Sequence, residues 1–141
     1  MTVSREIAMK LWTDVFGNVL WAVDCFGTWI YRDDYGKTDI FRKRPGGTGK
    51  EYNYGWSVDH IMPVSKFANE SEATFWNNLE PMHHSNNLAK GEKTSFILNG
   101  NNYQVVRCEI CKRHGQLGYG IKSVELGKRI DWKYAKNSYY S

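Results

Sequence analysis

Gly55-Trp56-Ser57-Val58-Asp59-His60-Ile61-Met62-Pro63 runs aromatic and β-branched residues into an Asp-His pair and stops at a proline. Its pattern predicts a short strand over 56–61 that delivers a carboxylate and an imidazole side by side at its end. Leu79 to Met82 predicts a second strand, opened by Asn78. Ser85 is a candidate N-cap for a helix through Asn86, Asn87, Leu88, Ala89 and Lys90, running to about Lys93. Between the strands, Glu70 to Phe75 predicts a helical turn.

Strand, strand and helix folded back on one another bring together groups that can do chemistry. The carboxylate of Asp59 and the carboxamide oxygen of Asn87 can share a hard divalent cation, leaving positions for water and a phosphate oxygen. His60 can then take a proton from the attacking water, because an unperturbed imidazole titrates near neutrality and a nearby cation favours its neutral form. Asn78 can hydrogen-bond either the imidazole or its loop. Lys90 follows Asn87 by three residues and Lys93 by another three, so all share a helix face, and both lysines are candidate phosphate contacts.

At these residues the chain resembles the HNH endonucleases of the ββα-metal, or His-Me finger, class. The resemblance rests on Asp59-His60-Ile61 with Pro63, on Asn78-Leu79, and on Asn87 followed by Lys90-Gly91, and it covers about residues 54–94. It implies that His60 is the general base, that Asp59 and Asn87 hold magnesium or manganese, and that Asn78 orients the base loop. Many relatives also carry two Cys-x-x-Cys pairs holding a structural zinc. Here no pair precedes Asp59, and His83 and Asn86 stand where the second would be. His83 reads as a satisfied buried imidazole, a partner behind the ligands, or an additional ligand; His84 reads as exposed.

Outward from this core, Ile7, Ala8, Leu11, Trp12, Val15 and Phe16 recur at helical spacing after Ser4, predicting a helix over 5–16 that Gly17 ends. Val19 to Val23 and Trp29 to Tyr31 flank Asp24-Cys25-Phe26-Gly27-Thr28 and predict a hairpin. Trp12, Trp21 and Trp29 read as core. Residues 32–54, centred on Pro45-Gly46-Gly47-Thr48-Gly49, predict a loop whose Arg42-Lys43-Arg44 run is either a solvated face or a phosphate contact. Phe96 to Leu98 and Tyr103 to Val106 predict a second hairpin around Asn99-Gly100-Asn101-Asn102. Beyond Gly115 no pattern is decisive.

The 141 residues carry 19 Lys+Arg against 15 Asp+Glu, and the excess is uneven: residues 59–94 hold 3 basic and 5 acidic groups, residues 95–141 hold 8 and 3. The C-terminal extension, 95–141, is therefore basic, and Lys128, Arg129, Lys133 and Lys136 beside Trp132 and Tyr134 suit a polyanion with stackable bases. The alternative is that the aromatics dock on the core and the lysines face solvent. Three cysteines fit free thiols or metal ligands better than disulfides. Cys108 and Cys111, with His114 after them, read as a candidate structural zinc pair, a thiol redox pair or plain small hydrophobes. No run is long enough to span a bilayer, and Met1 to Lys10 lacks the apolar stretch of a secretory signal, so a cytoplasmic protein is expected.

Together these readings predict one α+β domain over 1–141. Its parts are a ββα-metal nuclease core, an N-terminal helix and hairpin over 4–31, and the basic extension. The expected activity is metal-dependent hydrolysis of phosphodiesters in DNA, with RNA not excluded. The alternatives are a non-catalytic nucleic-acid-binding module and a zinc-stabilised interaction domain.

Overall fold

The computed structural model describes residues 3–113 and 116–132, with backbone only at 109–113, 116 and 117. The helix α1, Arg5–Phe16, has the predicted bounds: the Ser4 hydroxyl accepts from the Ile7 amide at 3.3 Å, and Gly17, at φ 79°, donates back to the Thr13 carbonyl at 2.8 Å. Its apolar stripe buries Ala8, Leu11 and Trp12. The predicted hairpin forms as β1, Trp21–Val23, antiparallel to β2, Trp29–Tyr31.

Residues 32–54 are not simply loop. A 3₁₀ turn spans Arg32–Asp34, and β3, Phe41–Lys43, pairs with β4, Glu51–Asn53, as a two-stranded ribbon. Its strands lack the apolar alternation that marks a strand in sequence, because the ribbon is held by an arginine. The Arg42 guanidinium reaches both oxygens of the fully buried Asp34, with Nε to Oδ2 at 2.8 Å, and lies 4.8 Å over the Tyr31 ring.

The strand β5, Trp56–His60, pairs antiparallel with β6, Leu79–His83, from Trp56 opposite His83 to His60 opposite Leu79. A short helix α2, Glu70–Ala73, lies in the connection, and α3, His84–Lys90, follows β6 directly. The helix N-cap is His83 rather than Ser85: the His83 ring nitrogen Nδ1 accepts from the Ser85 amide at 3.1 Å. A four-stranded sheet completes the described chain, in the order β10-β9-β8-β7, from β7, Ser95–Leu98, β8, Asn101–Arg113, β9, Gln116–Ser123, and β10, Lys128–Arg129. Asn99 and Gly100, both at positive φ, form the two-residue turn between β7 and β8. The architecture is α+β, with several antiparallel hairpins and mixed helices.

Two apolar clusters lie about the β5–β6 hairpin. Trp56, Val58 and Leu79 join α1 and Ile30 in one, while Ile61 and Met82 join Phe96, Leu98 and Ile121 in the other. Each such side chain, fully buried, stabilises the fold by roughly 1.5–3 kcal/mol. Trp132 closes the first cluster from outside: its indole donates to the Leu79 carbonyl at 3.2 Å and its ring meets Trp76 edge-on. Among the described residues no helix is long and apolar enough to cross a membrane.

Candidate active site

Alternation along β5 puts Ser57 and Asp59 on one face, and α3 lays Asn87 and Lys90 across them. Asn87 Nδ2 donates to Ser57 Oγ at 2.7 Å. Lys90 Nζ donates to Asp59 Oδ1 at 3.2 Å and to the carbonyls of His60 and Ile61 at 3.2 and 2.9 Å. Three donors thus meet three oxygens in a place where Lys90 is wholly buried and Asp59 nearly so. Lys90 was expected to face phosphate; it is turned inward instead, because an ammonium lying against a buried carboxylate offsets the cost of burying either charge.

His60, at the exposed end of β5, is half-buried, with Nε2 2.8 Å from Thr74 Oγ1. That hydroxyl has one hydrogen, which it donates to the Glu70 carbonyl at 2.8 Å. It therefore accepts from His60, so the hydrogen sits on Nε2 and the lone pair on Nδ1. The tautomer follows from the hydrogen-bond pattern. Burial pushes the His60 pKa below its ordinary 6.5, the Lys90 cation pushes the same way, and the charges of Asp59 and Glu70 oppose them in part. The imidazole is neutral at neutral pH and can accept a proton.

Asn78 is fully buried and bonded to backbone throughout. Its Oδ1 accepts from the Met62 amide at 2.8 Å, and its Nδ2 donates to the carbonyls of Met62 and Ala73 at 3.1 and 2.9 Å. Of the two partners open to it in sequence, the loop is the one it binds. By gripping Ala73 it also fixes the segment that carries Thr74.

The Asn87 amide nitrogen is spent on Ser57, which leaves its carbonyl oxygen for a ligand. Ser57, Asn87, His84 and Glu92 line an open groove of about 350 Å³ along α3. By type, the donor set of an Asp59 carboxylate and an Asn87 carboxamide oxygen suits a hard cation such as magnesium or manganese, but of the two only Asn87 lines the groove; the Asp59 carboxylate is buried against Lys90. The Lys90 ammonium on Asp59 subtracts charge from that set.

His83 and Asn86 have a different task. Asp24, buried in the β1–β2 turn, accepts from the Phe26 and Thr28 amides on Oδ1 and from the His83 amide and Asn86 Nδ2 on Oδ2, all at 2.9–3.0 Å. This carboxylate ties the first hairpin to the start of α3 across more than fifty residues. Nothing local in the sequence beyond an Asp at a turn signals it. His84 is half-buried rather than exposed, stacked on His83, with Nε2 2.6 Å from Asn53 Oδ1.

Of the other candidates, Lys93 and Lys128 are exposed. Arg129 is turned inward, with Nε and Nη2 at 2.9 and 2.5 Å from the two oxygens of buried Asp131. Lys133, Tyr134, Lys136 and His114 lie outside the described residues, as does the side chain of Cys111. Cys108 is buried and disulfide-bonded, and Cys25 is free. Of the three tryptophans read as core, Trp12 is fully buried, whereas Trp21 is half-buried and Trp29 partly exposed. No protein-family model matches the chain, and neither curated proteins nor solved structures give a significant match.

Proposed function

We propose that this protein is a metal-dependent endonuclease of the HNH, ββα-metal type, hydrolysing phosphodiester bonds in DNA. The observation that carries the reading is His60: an imidazole whose Nε2 is tied down by Thr74 and whose Nδ1 is left as a base, next along β5 to Asp59. The order β5, β6, α3 supports the ββα-metal assignment. In this mechanism His60 Nδ1 takes the proton of the attacking water. Asn78 and Thr74 hold the ring in place. Asp59 and Asn87 would hold a divalent cation, which when bound polarises the scissile phosphate and neutralises charge on the leaving oxygen.

Incubating supercoiled plasmid with the protein and magnesium or manganese is the direct test. Nicking is expected, with loss of activity in chelator. His60→Ala should reduce the rate by about 10² to 10⁴-fold while DNA binding persists, the usual range for a lost general base. A folded His60→Ala protein that cleaves normally would refute the assignment. The Lys90 ammonium on Asp59 favours a second reading, a nucleic-acid-binding module without turnover, because it weakens the attraction for a cation. Binding without nicking at any metal concentration would decide for that reading.

A further inference from the structure

The ribbon β3–β4 is built unlike the rest of the molecule. Within residues 41–53 stand Arg42, Lys43, Arg44 and Lys50 against the single carboxylate Glu51, although the neighbouring segment 59–94 is net acidic. The pairing of Phe41 with Asn53 and of Lys43 with Glu51 puts these four on one face and Arg42 with Tyr52 on the other. The Arg42 face is fastened inward to Asp34 and Tyr31. Arg44, at the start of the tip, lies 4.0 Å over the Trp29 ring, a second cation–π contact that anchors the ribbon to β2. What remains outward is Phe41, 59% exposed, with exposed Lys43, Lys50 and Glu51, and Tyr52 on the other face, leaving a net positive surface.

The ribbon is also joined to the candidate site. The Asn53 carbonyl accepts from His83 Nε2 at 3.0 Å, and Asn53 Oδ1 meets His84 Nε2 at 2.6 Å, at the head of α3. His84 in turn lines the groove that holds Asn87. Basic ribbon and groove are thus contiguous, with a rigid polar joint between them.

We propose that the β3–β4 ribbon is a docking arm for duplex DNA, entering the major groove and delivering the backbone to the groove along α3. The B-form major groove admits a two-stranded ribbon, and an exposed Phe can meet a thymine methyl there. Lys43 and Lys50 would neutralise phosphates on the groove walls. The A-form major groove is too deep and narrow for such an arm, so duplex RNA is not its partner. The proposal takes DNA as the polyanion from the proposed function, but its test needs no turnover.

Full-length His60→Ala protein is titrated into a labelled DNA duplex without divalent cation, by fluorescence anisotropy at several salt concentrations. Lys43→Gln/Lys50→Gln is compared on that background with Arg5→Gln/Lys10→Gln, which removes the same charge from exposed positions on α1. Each lost phosphate contact lowers the slope of log affinity against log salt by about 0.9, so the ribbon pair should flatten it by about 2 and the α1 pair should not. Equal changes in the two pairs, or an equal ribbon effect on duplex RNA, would overturn the arm. Absence of DNA binding by the starting protein would overturn arm and function together. A ribbon-specific change in slope beside a wild-type protein that never nicks plasmid would uphold the arm and reject the nuclease.

Discussion

At the scale of residues, His60 depends on a threonine. Thr74→Val removes the acceptor for Nε2–H but keeps the shape, so the ring is free to change tautomer, and cleavage should fall by about 10 to 100-fold, as for other groups that orient an imidazole. Thr74→Ser should restore most of the rate. Nitrogen NMR of His60 supplies an independent readout, with the hydrogen on Nε2 in the wild type and a mixture in Thr74→Val. A wild-type ring protonated on Nδ1 would refute the arrangement. Because burial lowers the His60 and His84 pKa values, both rings take up protons more readily in the unfolded chain. Their contribution to stability is present above the unfolded value of about 6.5 and is lost as pH falls through the lower folded values. The activity limb should likewise lie below 6.5. The elements that carry Asp59, His60 and Asn87 were readable from the local pattern, a strand ended by a proline and a helix after the next strand. Thr74 was not, because its role follows from a hydroxyl whose single hydrogen is already committed to Glu70.

Among the elements, α3 is placed by what it is tied to as much as by its own sequence. It spans only His84–Lys90, too short to be stable alone. Its N-terminus hangs on Asp24, so Asp24→Ala leaves the Phe26, Thr28 and His83 amides and Asn86 Nδ2 without their acceptor. Unpaired buried donors cost about 1–3 kcal/mol each, and even with partial relaxation the loss should reach about 3 kcal/mol or more in urea unfolding. A change within about 0.5 kcal/mol, the range of ordinary surface substitutions, would show that the tie is not structural. The helix α1 and the first hairpin were legible because their periodicity, cap and turn are local. The ribbon β3–β4 was not, because its strands carry Arg42 and Lys43 where apolar residues would mark a strand. Its order comes from Asp34 and Tyr31.

For the molecule as a whole, the basic extension divides. Its start is sheet, and Arg129, Asp131 and Trp132 face inward, so removing residues 128–141 takes away an ion pair and the indole on Leu79. Truncation should lower thermal stability, and Trp132→Ala alone should cost about 1–3 kcal/mol, less than the 3–5 of a fully buried aromatic. Thermal melts of both variants check this; unchanged midpoints would return Trp132 to solvent. Charge counting had assigned Lys128 and Arg129 alike to phosphate, yet net charge does not reveal that a carboxylate two residues on has engaged the arginine. By itself, the sequence determined the α1 helix and the strands around Asp59-His60 and Asn78-Leu79. Those depend on period and spacing along one short stretch. Only the tertiary structure decided that Lys90 is turned onto Asp59, that Asp24 anchors α3, and that the basic ribbon adjoins the groove. Each joins groups distant in sequence, where burial and hydrogen-bond geometry, not pattern, select the partner.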